Sequence, residues 1–230
     1  MLTTYSLGSL DYPSAEKLQQ RLAAAVAEGE HPPTLLLLEH PHVYTFGRQG
    51  KAENLLWDAD ELARRGISSH WTDRGGDVTY HGPGQLVGYP VLKLDDLDTL
   101  GYLRKLEEVL IRTLAGFGIS AGRVDGQTGV WVPGEAGKTP PSKIASIGVR
   151  VDAHRVTRHG FALNVDPQMD YWKGIIACGL ENQSKTSMAE LLAPPPSVDE
   201  VAAVVIKEFE AVFETDAEEG DAGVIAGWMA

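Results

Sequence analysis

At 230 residues and 43% hydrophobic content the chain is long enough to bury a sizeable core, while its longest strongly apolar run, residues 35–38, is far too short to cross a bilayer. A formal charge of −12 argues against general nucleic-acid binding, which needs a concentrated basic surface. One cysteine forms no internal disulfide and no basic-then-apolar segment opens the chain, so a cytoplasmic protein without membrane association is expected.

Ser14 is placed to cap a first helix carrying Leu18, Leu22, Ala25 and Val26 at helical spacing and ending at Gly29. Pro32 and Pro33 force an extended entry to a buried strand over residues 34–39. A short helix over 58–65 closes at Gly66, and a strand over 67–73 leads into a glycine-rich turn. Another strand spans 85–94. Asp98 then caps a helix with Leu103, Leu106, Val109, Leu110 and Leu114 on one face. Strands follow over 129–132, 143–152 and 155–165. After Pro194, Pro195 and Pro196, the sequence Ser197-Val198-Asp199-Glu200 is a capping box before a helix with Val201, Val205, Phe209 and Val212 in a stripe. Helices and strands are interspersed without a βαβ repeat. The expectation is one α+β domain over residues 1–230, a mixed β-sheet flanked by helices, with a helical C-terminal part over 197–230.

Three features could carry chemistry. Cys178, beside Gly179, is either inert packing or a nucleophile able to hold an acyl group as a thioester. Residues 74–85 read Arg-Gly-Gly-Asp-Val-Thr-Tyr-His-Gly-Pro-Gly-Gln: either a tight turn or a loop whose free N–H groups approach a ligand oxygen. His81 and His159 each adjoin a glycine and are candidates for a place near a site. His40 and His42 flank Pro41, which disfavours regular metal geometry, and no metal is expected. Residues 134–139 imitate the end of a phosphate-binding loop, but Val132 stands where the first glycine belongs and Pro140-Pro141 bars a following helix. Asn182-Gln183-Ser184 fits a glycosylation pattern that has no meaning in the cytoplasm.

Read whole, residues 74–85 resemble the signature of the lipoyl(octanoyl) transferases. The likeness continues in order through Lys143-Ile144-Ala145-Ser146-Ile147-Gly148, His159-Gly160-Phe161-Ala162-Leu163-Asn164-Val165, Cys178-Gly179 and Thr186-Ser187-Met188, from about residue 35 to 190. The resemblance implies a fold similar to the catalytic domains of biotin protein ligase and lipoate protein ligase. It implies transfer of an octanoyl group from acyl carrier protein to a lysine of a lipoyl domain, such as a 2-oxo acid dehydrogenase E2 subunit or the glycine cleavage H protein, with no cofactor. Cys178 is then the nucleophile and Lys143 the partner that tunes it, as a nearby ammonium or as a neutral base. Arg74, Gly75, Gly76, Asp77, Val78, Thr79, Tyr80 and His81, with Ser146, Ile147, Gly148, Gly160, Phe161 and Ala162, line the acyl site in this reading. An ATP-dependent ligase on the same fold and a non-catalytic binding module are the alternatives. A carrier protein is typically acidic, so the basic residues of 143–173, with Arg48 and Arg74, are expected to receive it.

Overall fold

The computed structural model describes residues 1–96, 98–135, 138–177 and 184–229. In chain order it runs β1 (Leu2–Ser9), α1 (Tyr12–Glu28), β2 (Thr34–Glu39), β3 (Val43–Phe46), α2 (Ala59–Arg65), β4 (Ser68–Trp71), β5 (Val78–His81), β6 (Gln85–Val91) and α3 (Thr99–Gly116). It continues with β7 (Gly122–Val124), β8 (Gln127–Val132), β9 (Ser142–Val151), β10 (Thr157–Asn164), α4 (Met188–Leu191), α5 (Val198–Phe213), β11 (Ala217–Glu219) and α6 (Ala222–Met229).

Among the described residues the strands form a large mixed sheet in the order β11-β1-β2-β6-β10-β9-β8-β7 and a small one in the order β4-β3-β5. Residues 35–38 are apolar without alternation because β2 is covered on both faces. Leu35 and Leu37 meet the core built with α3 and α5, while Leu36 and Leu38 meet the core built with α1. Val201, Ala202, Val205 and Phe209 of α5 share the first core with Leu106, Leu110 and Leu114 of α3. A third cluster joins Tyr44, Phe46, Val78 and Tyr80 of the small sheet to Tyr171 and Ile175. Among the described residues no helix is long and apolar enough to cross a membrane.

Several boundaries differ from expectation for identifiable reasons. Asp11, not Ser14, caps α1: its carboxylate accepts from Ser14 N at 3.0 Å, and Pro13 fits the first turn, where its missing N–H leaves no bond unmade. Gly29 closes that helix at φ 77°, as a left-handed cap requires. The strand expected over 67–73 shortens to β4, and part of the glycine-rich segment, residues 78–81, becomes β5 against β3. Ala136 and Gly137 of the phosphate-loop imitation lie outside the described residues, and the chain after Thr139 enters β9 without a helix.

Candidate active site

Strand β8 leaves β9 early. Their register runs from Val132↔Ser142 to Val130↔Ala145, so from Ser146 onward the β8-side edge of β9 has no partner strand among the described residues. The glycine-rich loop docks on that edge, where Gly75 N donates to Val149 O at 2.9 Å. Gly148 permits this approach, since a Cβ there would lie 3.0 Å from Gly75 O and 3.3 Å from Arg74 Cδ. Arg74 is buried and braces the loop from beneath: Nη2 donates to Thr45 O at 2.5 Å and to Thr45 Oγ1 at 2.9 Å, and Nη1 to Gly75 O at 2.9 Å. Asp77 is tied in turn by Asn54 Nδ2 at 2.6 Å. The loop is thereby fixed before any ligand arrives, leaving a cavity of about 540 Å³ between it and the sheet.

Lys143 projects into this cavity although only 6% of it is exposed. Its Nζ donates to Thr128 O at 3.0 Å and lies 4.5 Å from the centre of the Trp131 ring, a carbonyl and an aromatic face that both attract an ammonium. Gly129 makes room for it. With φ at 121° and a would-be Cβ 2.6 Å from Ala145 O and 3.2 Å from Lys143 Cε, the position admits glycine alone. Glu107 of α3, fully buried, accepts from Gly129 N at 3.2 Å and is neutralised by Arg104 at 2.6 Å and Arg123 at 2.9 Å. The backbone of Lys143 is held by the chain beyond the cysteine motif: its N–H donates to Ser184 O at 2.9 Å, and Thr186 N donates to its O at 3.0 Å.

His40, His81 and His159 are buried. Burial pushes His81 well below its ordinary value, and its Nδ1 faces Gln85 Oε1 at 2.8 Å. Burial likewise lowers His159, outweighing the Asp73 carboxylate 2.8 Å from its Nε2. That hydrogen bond from His159, with Arg158 beside it, holds the Asp73 carboxyl well below the usual range. Glu16 completes a trio whose ligand atoms lie within 4.8 Å of one another, but Asp73 already meets the Arg158 guanidinium at 2.5 Å and Glu16 accepts from Thr72 Oγ1 at 2.7 Å, so both carboxylates are engaged within the protein. His40 bonds Leu10 O and Tyr89 OH, whereas His42 stacks on Tyr171 at 4.0 Å, so the pair does not converge.

Of the residues expected to line an acyl site, Arg74, Gly75, Gly76, Asp77, Val78, Thr79, His81, Ser146, Ile147, Gly148, Gly160, Phe161 and Ala162 surround this one cavity with Lys143. Tyr80 is elsewhere: strand alternation turns it into the third core, fully buried, with its hydroxyl 2.9 Å from His42 Nδ1. Cys178 and Gly179 lie outside the described residues, as do Asn182 and Gln183 of the glycosylation pattern. Ala177, the residue before the cysteine, lines the cavity, and so does Lys185. The residues expected to form a basic docking patch differ in how much charge they present. Lys143 is buried, the Arg158 side chain is 12% exposed against Asp73, Arg155 bonds the Asp95 carbonyl, and Lys173 pairs with Asp170. Sequence reasoning passed over Thr128, Gly129 and Glu107. The available signal was Glu107 itself, a carboxylate on the stripe of Leu103, Leu110 and Leu114 that must be paired to be buried there.

The chain is similar to known proteins. The family model described as the lipoyl protein ligase A/B catalytic domain matches residues 11–210. An octanoyltransferase of Chloroflexus aggregans is 46% identical over 93% of this chain and 95% of its own length. One of Solibacter usitatus is 50% identical over 90% of this chain and 91% of its own. Among solved structures, the bipartite lipoate protein ligase of Thermoplasma acidophilum, studied with its E2 lipoyl domain, superposes with a TM-score of 0.77 at 18% identity, covering 99% of this chain and 89% of that one. That likeness is one of fold.

Proposed function

Because the chain belongs to the lipoyl protein ligase A/B catalytic domain family and is an acyltransferase, we propose that it carries an octanoyl or lipoyl group from acyl carrier protein to a lysine of a lipoyl domain through a thioester on Cys178. The observation that carries the reading is that Lys143, the glycine-rich loop and Ala177, the chain neighbour of Cys178, line one cavity. Its volume of about 540 Å³ falls in the range of small-ligand sites, roughly 300–1,000 Å³. Residues 1–230 are read as one catalytic domain, since α5 shares a core with α3.

The Cys178 thiolate attacks the thioester carbonyl of the donor. A carbon–sulfur bond to Cys178 forms, the bond to the carrier sulfur breaks, and the carrier leaves as a thiolate that takes up from solvent the proton Cys178 had given up. The neutral amine of the acceptor lysine then attacks the acyl-enzyme, forming the amide as the bond to Cys178 breaks and one amine proton passes to the departing sulfur. A thiol near pKa ~8.5 is mostly protonated at neutral pH, so the Lys143 ammonium serves to favour the thiolate. The loop opposite it supplies fixed N–H groups where charge develops on the carbonyl oxygen. The acceptors in this reading are lipoyl domains of 2-oxo acid dehydrogenase E2 subunits and the glycine cleavage H protein, in keeping with the E2 lipoyl domain that accompanies the Thermoplasma ligase.

The test offers octanoyl-acyl carrier protein and a lipoyl domain without ATP, and measures the mass of the lipoyl domain. Gain of one octanoyl group on its lysine is expected. Modification only when ATP and free octanoate replace the carrier would overturn the transferase reading in favour of a ligase.

A further inference from the structure

Gln85 and Asn164 stand at the ends of two family-like motifs, are buried, and do not line the cavity. Their amides nevertheless join its two sides. Gln85 Nε2 donates to Asn164 Oδ1 at 2.9 Å and to Tyr80 O at 3.3 Å, so Gln85 Oε1 is the acceptor that faces His81 Nδ1 at 2.8 Å. His81 is neutral, and its single N–H is therefore on Nδ1, leaving Nε2 to accept from Thr45 Oγ1 at 3.4 Å. Arg74 donates to that same hydroxyl. In the other direction Asn164 Nδ2 donates to Thr186 O at 2.9 Å, and Thr186 N donates to Lys143 O at 3.0 Å.

The strand register explains why the joint falls at Asn164. Strand β10 pairs with β9 as far as Leu163↔Ala145. Beyond it, Lys185 takes over as the neighbour of Lys143 in a parallel bridge. The end of one strand and the start of its replacement share no backbone ladder: the Asn164 amide ties them at Thr186, beside a single backbone bond from Ala189 N to Val165 O at 2.9 Å. We propose that Gln85 and Asn164 are positioning residues for acyl transfer: acting through Thr186, they hold the main chain of Lys143 in register with the glycine-rich loop, so that the lysine amine is presented to the acyl site. The inference rests on the reading of Cys178 as the acylated residue.

The test uses the full-length protein and octanoyl-acyl carrier protein, following single-turnover acylation by intact mass and the pH profile of Cys178 alkylation by iodoacetamide. Asn164→Asp keeps the shape but, when ionised, sets a carboxylate against Thr186 O. At pH 8 its maximal acylation rate is expected to fall about tenfold or more, the equivalent of one buried hydrogen bond lost with its partner stranded, with half-saturating donor changed less than about threefold. Its alkylation profile should move to higher pH. Toward pH 6 a buried aspartate takes up a proton and donates again, so the ratio of variant to wild-type rate should rise. Gln85→Ala combined with Asn164→Ala should be less harmful than the product of the single effects, as for links of one chain. Thr157→Val, which removes buried hydrogen bonds to Pro90 O and Leu92 N in the same sheet, should lower stability yet leave the rate within about twofold. Wild-type rate and profile in Asn164→Asp, or in Gln85→Ala should the aspartate variant not fold, would overturn the inference, as would an equal rate loss in Thr157→Val. A wild-type protein that never acylates would instead sink the thioester reading on which the inference stands.

Discussion

Replacing Gly129 with alanine tests how Lys143 is held. The residue sits at φ 121°, where an L side chain is strained, and its Cβ would lie 2.6 Å from Ala145 O. Backbone strain of this kind costs about 1–3 kcal/mol. Relief requires β8 to move off β9, which stretches the 3.0 Å bond from Lys143 Nζ to Thr128 O, and a hydrogen bond to a charged group contributes about 1.5–3 kcal/mol. Together these predict a loss of about 2.5–6 kcal/mol, or about 5–24 °C in Tm for a chain of this size. Gly118 is the control: it too has a positive φ, 78°, but nothing lies within 4 Å of its would-be Cβ. Gly118→Ala should cost about 1–2 kcal/mol and leave acyl transfer unchanged. Differential scanning calorimetry and single-turnover acylation well below both Tm values read the difference, with Gly129→Ala slowed at least about tenfold. If Gly129→Ala were as mild as Gly118→Ala in both assays, the glycine would not be what places the lysine.

Two further outcomes follow from the charges. His40, held by burial at about 4 against an ordinary 6.5, and His81 and His159, also lowered, protonate first in the unfolded chain. Their effect is absent above the ordinary value and destabilises as pH falls below it, so urea denaturation should show at least about 2 kcal/mol less stability at pH 5 than at pH 7.5. Asp73, held low, loses its contribution only below its ordinary 3.8, outside that window; unchanged stability between the two pH values would refute the neutral histidine cluster. Arg158→Glu should lower Tm because it sets a carboxylate against Asp73, whereas Arg150→Glu, at a side chain that is 36% exposed and has its Nε 3.9 Å from Asp73, should chiefly slow acylation at low salt. Equal effects of the two reversals on Tm would contradict this division.

Sequence alone exposed the parts of the fold whose burial leaves a pattern. Helices α3 and α5 announce themselves by an apolar stripe behind Asp98 and Ser197, and β2 by an apolar run between prolines and Glu39. Strand β1 did not, because Thr3 and Thr4 are buried by parallel neighbours on both sides and its sequence scarcely alternates. Strand β5 was hidden inside a glycine-rich motif that reads as loop, and β11 is three residues of which two are acidic. At the site, the motif residues were legible because each carries distinctive chemistry. Gly129, Thr128 and the Gln85–Asn164 link were not, since their roles depend on where β8 parts from β9 and where β10 ends, which is register and not composition.

The central claim is covalent, and mass spectrometry reads it directly. Wild-type protein mixed with octanoyl-acyl carrier protein and no acceptor is predicted to gain one octanoyl group, mapped to the peptide containing Cys178 and released on adding a lipoyl domain. Cys178→Ser should show no such adduct and no transfer. An adduct on another residue, or acceptor modification undiminished in Cys178→Ser, would contradict the account.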